Sequence, residues 1–135
     1  MPDKSFIDSN LLVYYSSDKG EKLTVLKKLF HTASEKIISL QTLNEFANVC
    51  FKKHLLEPEE IKNAAEAYMN AFGLVHQNAD TLLHAIKLKQ KYHYSYFDSL
   101  VIATALEANC NVLYSEDLQH KQKIEHKLQI INPFI

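Results

Sequence analysis

Three features of the chain predict an α/β fold of three layers, with helices on both faces of a short parallel sheet. Short runs rich in β-branched residues alternate with longer runs of helical spacing. Cap-forming residues stand directly after several of the short runs. Only two glycines and three prolines interrupt 135 residues. Strands that alternate with helices are joined by crossovers, and these cover both faces of a parallel sheet.

Phe6-Ile7 belongs to an apolar run that stops at Asp8-Ser9-Asn10, a cluster of cap residues, before residues 11–15 resume as helix. Residues 21–33 carry Leu23, Leu26, Leu29 and Phe30 at helical spacing with lysines opposite. Ile37-Ile38-Ser39-Leu40 is too short for a helix and reads as a second strand. Residues 42–53 regain helical spacing through Leu43, Phe46, Ala47, Cys50 and Phe51, with Thr42 and Glu45 at capping-box spacing. Pro58-Glu59-Glu60 opens a helix with proline at its first position, and Ile61, Ala64, Ala65 and Tyr68 share a face. Gly73-Leu74-Val75 ends that helix and supplies a short strand. Asn78 or Asp80 caps the next helix, where Leu82, Leu83, Ile86 and Lys89 recur. Residues 95–109 form the most regular helix, with an apolar face from Phe97, Val101, Ile102, Ala105 and Leu106. Asn111-Val112-Leu113-Tyr114 and then residues 128–131 read as the last strands, closed by Asn132-Pro133.

The length fits one domain spanning residues 1–135, enough to bury roughly 70% of the unfolded chain's surface without staples. No stretch approaches the roughly 20 apolar residues of a membrane span, and the charged start at Met1 to Ser5 does not read as a signal peptide. Cys50 and Cys110 lack the spacing of a disulfide framework or zinc site, so buried thiols and a reducing cytoplasm are expected. The net charge of −1 advertises no nucleic-acid partner. All fifteen basic residues are lysine, so bidentate arginine recognition of phosphate is absent. That reads either as compositional bias or as a binding surface completed by a partner or second subunit.

The carboxylates carry the functional reading. Asp8 falls at the carboxyl end of the first predicted strand, and Asp117 just past the strand at residues 112–114. Glu45 falls in the first turn of the helix after the second strand, and Asp98 in the first turn of the helix from residue 95. Ligands of open parallel sheets bind outside the carboxyl ends of the strands. Singly, each acid reads as a helix cap or turn residue. Chain order can send Asp8, Glu45 and Asp117 to one rim, and Asp98 joins them if its helix begins there too; two carboxylates about 5 Å apart on such a rim repel by about 3 kcal/mol at an effective dielectric near 20. Four together require protons or a cation, and hard oxygen ligands of this kind select Mg²⁺ or Mn²⁺. Lys121, Lys123 and Lys127 follow Asp117 and read either as a solvated face or as a phosphate-binding lip. Tyr92, Tyr94, Tyr96 and Phe97 precede Asp98 and read as core or interface packing, or as a stacking surface for bases if one rim stays exposed.

Phe6-Ile7-Asp8-Ser9-Asn10, Leu43-Asn44-Glu45-Phe46, the run from Tyr96 to Ala105 around Asp98, and Leu113-Tyr114-Ser115-Glu116-Asp117-Leu118 resemble the successive acidic motifs of PIN domains. They stand in the family's order and at its separations across the whole chain. The compact length resembles the VapC-type toxins of toxin–antitoxin pairs. The resemblance implies a Mg²⁺-dependent endoribonuclease that is inhibited by a cognate antitoxin protein, is usually a homodimer, and leaves 5′-phosphate and 3′-hydroxyl ends. Carried over, Asp8, Glu45, Asp98 and Asp117 match the acidic quartet. Asp8 and Asp98 would be metal ligands, and Glu45 would orient the attacking water or complete a second shell. Ser115 matches a small hydroxyl residue two places before the last acid, and Asn10 would orient Asp8. Either Glu116 or Asp117 is the inward acid, with the Ser-x-Asp spacing favouring Asp117. His120 stands where relatives often show another acid, as a substrate contact, a proton donor or a loop histidine. Homodimerisation is expected through apolar helical faces of the N-terminal half. The alternative function is an RNA- or partner-binding PIN module that does not cleave. A receiver-like phosphoacceptor fits less well, since it wants paired acids after the first strand.

Overall fold

A computed structural model describes residues 3–135; Met1 and Pro2, the first residues of the charged start, lie outside the described residues. In chain order the elements are β1 (Lys4–Ile7), α1 (Ser9–Ser17), α2 (Glu21–Phe30), β2 (Glu35–Ser39), α3 (Leu40–Lys52), α4 (Pro58–Ala71) and β3 (Gly73–Val75). They continue with α5 (Ala79–Tyr92), α6 (Tyr96–Glu107), β4 (Val112–Tyr114), β5 (Lys123–Ile124) and β6 (Leu128–Ile131).

The sheet runs β3-β2-β1-β4-β6-β5, parallel throughout except for β5 against β6. Alternation along the strands divides the interior in two. Phe6, Ile37 and Leu113 join the core under α5 and α6, while their neighbours Ile7 and Ile38 join the core under α1 to α4. The three-layer α/β/α expectation therefore holds. The strand at β5 was not foreseen: two residues between lysines carry too short a pattern, and only pairing with β6 makes them a strand.

Local chemistry moves two boundaries. Leu40, expected in the strand, opens α3 instead, because Ser39 at the end of β2 also caps that helix: the Ser39 hydroxyl accepts from the Thr42 N–H, and Thr42 Oγ1 accepts from the Ser39 N–H. Serine is the stronger cap, so the helix starts earlier than the Thr42–Glu45 spacing indicated, and Glu45 lies in its second turn. Asn78 rather than Asp80 caps α5, again with a threonine, Thr81, completing the box. Helix α5 ends without glycine, at His93 in the left-handed region (φ 65°). At Gly73 a Cβ would lie 2.7 Å from Ile37 Cδ1, so a side chain there would push the end of the Ile37 side chain aside.

The apolar face expected on α5 and one residue of that expected on α6 lie elsewhere. On α5 the buried residues are Thr81, Ala85 and Leu88, while Leu82, Leu83 and Ile86 are exposed. Thr81, Ala85 and Leu88 form a second stripe that the recurring leucines overshadowed; small Ala85 permits close packing on α6, and this stripe goes inward. On α6 the buried run is Val101 to Ala105, and Phe97 stands out at 65% exposure.

Candidate active site

The strand order reverses beside β1: β2 and β3 extend one way, β4 and β6 the other. Such a switch point opens a crevice at the carboxyl ends of the two central strands. Ile7 pairs with Tyr114, so the residues that follow, Asp8 and Ser115, emerge side by side. The Asp8 N–H donates to the Tyr114 carbonyl (3.1 Å), and Ser115 Oγ donates to Asp8 Oδ2 (2.8 Å). Asp8 Oδ1 accepts from the Ser9 N–H at the start of α1 (2.8 Å). Asp8 is 5% exposed and Ser115 fully buried.

Asn10, expected beside Asp8, instead serves the last motif. Its Nδ2 donates to Asp117 Oδ2 (3.1 Å) and Ser115 Oγ (3.4 Å), and its Oδ1 accepts from the Glu116 N–H (3.3 Å). It faces β4's exit because it sits one helical step beyond Ser9, past the carboxylate that caps the helix. Ser115, not Asn10, is the hydroxyl that orients Asp8. Ser115 also accepts from the Asp117 N–H (3.2 Å), shaping the turn.

The adjacent acids Glu116 and Asp117 separate cleanly. Glu116 accepts from Tyr14 Oη (2.5 Å) and pairs with Lys22 Nζ (2.6 Å), which lies 4.0 Å from the Tyr14 ring centroid. Burial pushes Glu116 up, but the hydrogen bonds and charge of Lys22 and Tyr14 outweigh it and hold the carboxyl below its ordinary range. Glu116 is thus consumed by α1 and α2. Asp117 lines a cavity of about 610 Å³ with Asn10, Glu45, Asn48 and Lys53. Glu45 is held from two sides, by Ser9 Oγ (3.1 Å) and by Gln41 Nε2 (2.7 Å). Asp98 sits in the first turn of α6, where Ser95 Oγ accepts from its N–H (3.1 Å).

These carboxylates feel one another. Burial pushes Asp8 up to about 6 against the pull of Ser115 and Ser9, and the charges of Glu45 and Asp98 add to the rise. Burial, and then the charge of Asp117, also raises Asp98. Among the described residues, none of the four acids is in an ion pair. Nor do three acidic, histidine or cysteine groups stand close enough together to hold an ion. Mg²⁺ keeps several of its waters and needs only one or two direct carboxylates, so a closed cage is not required. An all-oxygen, uncompensated acidic rim fits a hard divalent cation.

The remaining sequence candidates lie further out. His120 Nδ1 accepts from the Asn132 N–H (2.9 Å), so that ring braces the C-terminal segment. Lys121 is exposed at a left-handed turn (φ 68°). Lys123 is exposed on edge strand β5, opposite Gln129, which itself pairs with Val112 at the start of β4; it is level with the amino end of the sheet. Sequence reasoning missed Ser9, Gln41, Lys22 and Lys53. Ser9 was visible as the residue after Asp8; the others depend on which helix faces which.

A family model described as the PIN domain matches residues 5–125. Among solved structures, a chain of a toxin–antitoxin complex from Klebsiella pneumoniae superposes with a TM-score of 0.72 at 20% identity, covering 96% of this chain and 98% of that one. VapC20 of Mycobacterium tuberculosis, a sarcin-ricin loop cleaving toxin, gives 0.71 at 15% identity, covering 84% and 90%. A chain of DNA-bound VapBC from Salmonella typhimurium gives 0.68 at 20% identity, covering 96% and 97%. At these identities the likeness is one of fold. No curated protein matches the sequence.

Proposed function

The chain belongs to the PIN-domain family, and from that premise we propose that it is a divalent-metal-dependent endoribonuclease, the toxin of a toxin–antitoxin pair, working in the cytoplasm. The observation that carries this is the electrically coupled set Asp8, Glu45, Asp98 and Asp117 at the β1–β4 switch point, with no cation paired to it among the described residues. Asp8 and Asp98, with Asp117, would hold Mg²⁺ or Mn²⁺. When bound there, such a metal lowers the pKa of water and stabilises charge on a phosphodiester.

The chain's own residues supply the positioning. Ser115 and the Ser9 N–H set the Asp8 carboxylate, and Asn10 sets Asp117. Ser9 and Gln41 hold Glu45, whose role is to orient the attacking water. Hydrolysis without a covalent intermediate leaves 5′-phosphate and 3′-hydroxyl ends. Purified protein is expected to cleave RNA with Mg²⁺ or Mn²⁺, to lose activity in EDTA and to regain it on re-addition. Cleavage undiminished in EDTA overturns the carboxylate mechanism; RNA binding without cleavage under any divalent ion identifies a non-cleaving module instead.

Substrate contact falls to lysines. Lys53 lines the Asp117 cavity, and Lys121 and Lys123 follow the last motif. Each lysine that engages a phosphate of single-stranded RNA contributes about 0.7 to the salt slope of binding. Lys121→Ala is expected to lower that slope by about this amount and Lys123→Ala by less, because Lys123 sits level with the amino end of the sheet. Equal, unchanged slopes would leave both on a solvated face.

A homodimer is the proposed assembly, with a cognate antitoxin as the second protein partner. Exposed apolar side chains support an interface, but they are not confined to the N-terminal half: Leu40 and Phe51 on α3 are matched by Leu82, Leu83 and Ile86 on α5. Light scattering at micromolar concentration is expected to give twice the mass of 15.6 kDa; a monomer there overturns it.

A further inference from the structure

Glu45 borders a second pocket, of about 520 Å³, whose chemistry differs from the first. Its other walls are Gln41 and Asn44 from α3, Gln77 from the β3–α5 connection, and Phe97 and Leu100 from α6. No lysine or histidine lines it, so a phosphate entering would meet the Glu45 carboxylate without a counter-charge. Its polar groups are amides, and their hydrogen bonds show which atoms are committed.

Gln41 donates both N–H groups, to Glu45 Oε1 (2.7 Å) and to the Phe97 carbonyl (3.2 Å). Gln77 donates both of its own, to Gln41 Oε1 (2.6 Å) and Thr104 Oγ1 (2.9 Å). The two glutamines are thereby locked together between α3 and α6. Gln77 presents its carbonyl oxygen as an acceptor with no donor among the described residues. Asn44 is exposed and makes no side-chain hydrogen bond among the described residues, so it keeps both donors and its acceptor. Above them the Phe97 ring is 65% exposed, braced edge-on by Tyr96 with centroids 5.4 Å apart. Phe97 immediately precedes Asp98, so whatever covers this ring lies next to the acidic rim.

A bare aromatic face beside uncommitted amides is the chemistry that recognises an unstacked base. We propose that this pocket is a nucleobase subsite, in which one base of single-stranded RNA stacks on Phe97 and turns its edge toward Asn44 and the Gln77 carbonyl. The Gln77 carbonyl is fixed as an acceptor for an N–H of the base, while Asn44 can turn either its N–H groups or its oxygen toward the neighbouring atom of the base edge. Every base can meet this pair, so the preference follows stacking strength on Phe97 and favours purines. The subsite gives the enzyme a base contact beside the scissile phosphate that lysine contacts cannot supply.

The inference rests on the ribonuclease reading of the adjacent acids, and one experiment separates their fates. The full chain is titrated into fluorescein-labelled oligo(A), oligo(C) and oligo(U) in EDTA, followed by anisotropy, and cleavage of mixed-sequence RNA is measured in Mg²⁺. Oligo(A), whose purine stacks more strongly than a pyrimidine, is expected to bind several-fold more tightly than oligo(U). Phe97→Ala is expected to cost about tenfold on oligo(A), the size of one lost stacking contact, and to erase the preference, and Phe97→Trp to restore both. Asn44→Ala is expected to weaken binding of every oligomer by about threefold. Both positions are exposed, so truncation opens no core cavity, and unchanged melting curves check that. Cleavage with no base preference, or with a preference that neither variant alters, leaves the ribonuclease standing and overturns the subsite. Neither cleavage nor RNA binding overturns both. If Phe97→Ala instead shifts the chain toward monomer in light scattering and leaves base preference intact, the ring packs on a second copy and the subsite falls.

Discussion

Asp8→Asn is expected to abolish RNA cleavage, by at least about a hundredfold, and yet to raise the stability of the metal-free protein at neutral pH. Burial holds the Asp8 carboxyl at about 6, above the ordinary 3.8, so the fold disfavours its charged form. That displacement corresponds to about 3 kcal/mol. The sign follows from linkage. Below pH 3.8 the group is protonated in both folded and unfolded chains and costs nothing. Between 3.8 and 6 the unfolded chain releases the proton first, so stability falls as pH rises; above 6 the full penalty is present. Asparagine keeps an acceptor for the Ser9 N–H and is as good a helix cap as aspartate. It disturbs Ser115, which already accepts from Asn10 and Asp117, so the net gain at pH 7 is about 1–3 kcal/mol. Melting of wild type and variant in EDTA should converge near pH 4 and diverge above pH 6. Added Mg²⁺ should stabilise the wild type more than the variant, because linked stabilisation tracks affinity. A variant that melts lower than wild type at pH 7 in EDTA, and answers Mg²⁺ equally, would reduce Asp8 to a structural cap.

Phe46→Ala is expected to cost about 3–5 kcal/mol, much of the 5–15 kcal/mol that holds an ordinary domain folded. Phe46 is fully buried and packs edge-on against Tyr68, ring centroids 5.4 Å apart. Tyr68 in turn stacks on Phe72, and its hydroxyl donates to the Leu12 carbonyl (2.8 Å) and bonds Ser16 Oγ (2.5 Å). One ring therefore supports the junction of α1, α3 and α4. Glu45 precedes Phe46 and touches Ser9 across the same α1–α3 contact, so loosening that contact should lower activity even in the folded fraction. Urea unfolding should show a lower midpoint with little change in slope, and Phe46→Leu should lose much less. A loss under about 1 kcal/mol for Phe46→Ala would mean that this core collapses around the gap.

Local signals were enough for most elements. β-branched runs before cap residues marked β1, β2 and β4, and Pro58 and Ser95 marked helix starts, because propensity and capping act over a few neighbouring residues. The four candidate acids were picked out by the same local signals, although Glu45, placed in a first turn, lies in the second turn of α3. Long-range packing decided the rest. Periodicity identifies an apolar stripe but not its partner, so only the docking of α5 on α6 showed that Ala85 and Leu88 go inward and that Leu82, Leu83 and Ile86 stay out. Glu116 and Asp117 are adjacent, and spacing only favoured Asp117; what engages Glu116 is Lys22 and Tyr14, about a hundred residues away in the chain. Phe97 reads as one more apolar residue on its helix until the helix is seated and its ring is left bare beside the acids. Chain pattern determined which residues have the chemistry to act. The strand order, which brings β1 and β4 together across more than a hundred residues, determined which of them meet, because that adjacency is stabilised by burial summed over both faces of the sheet and by no local preference.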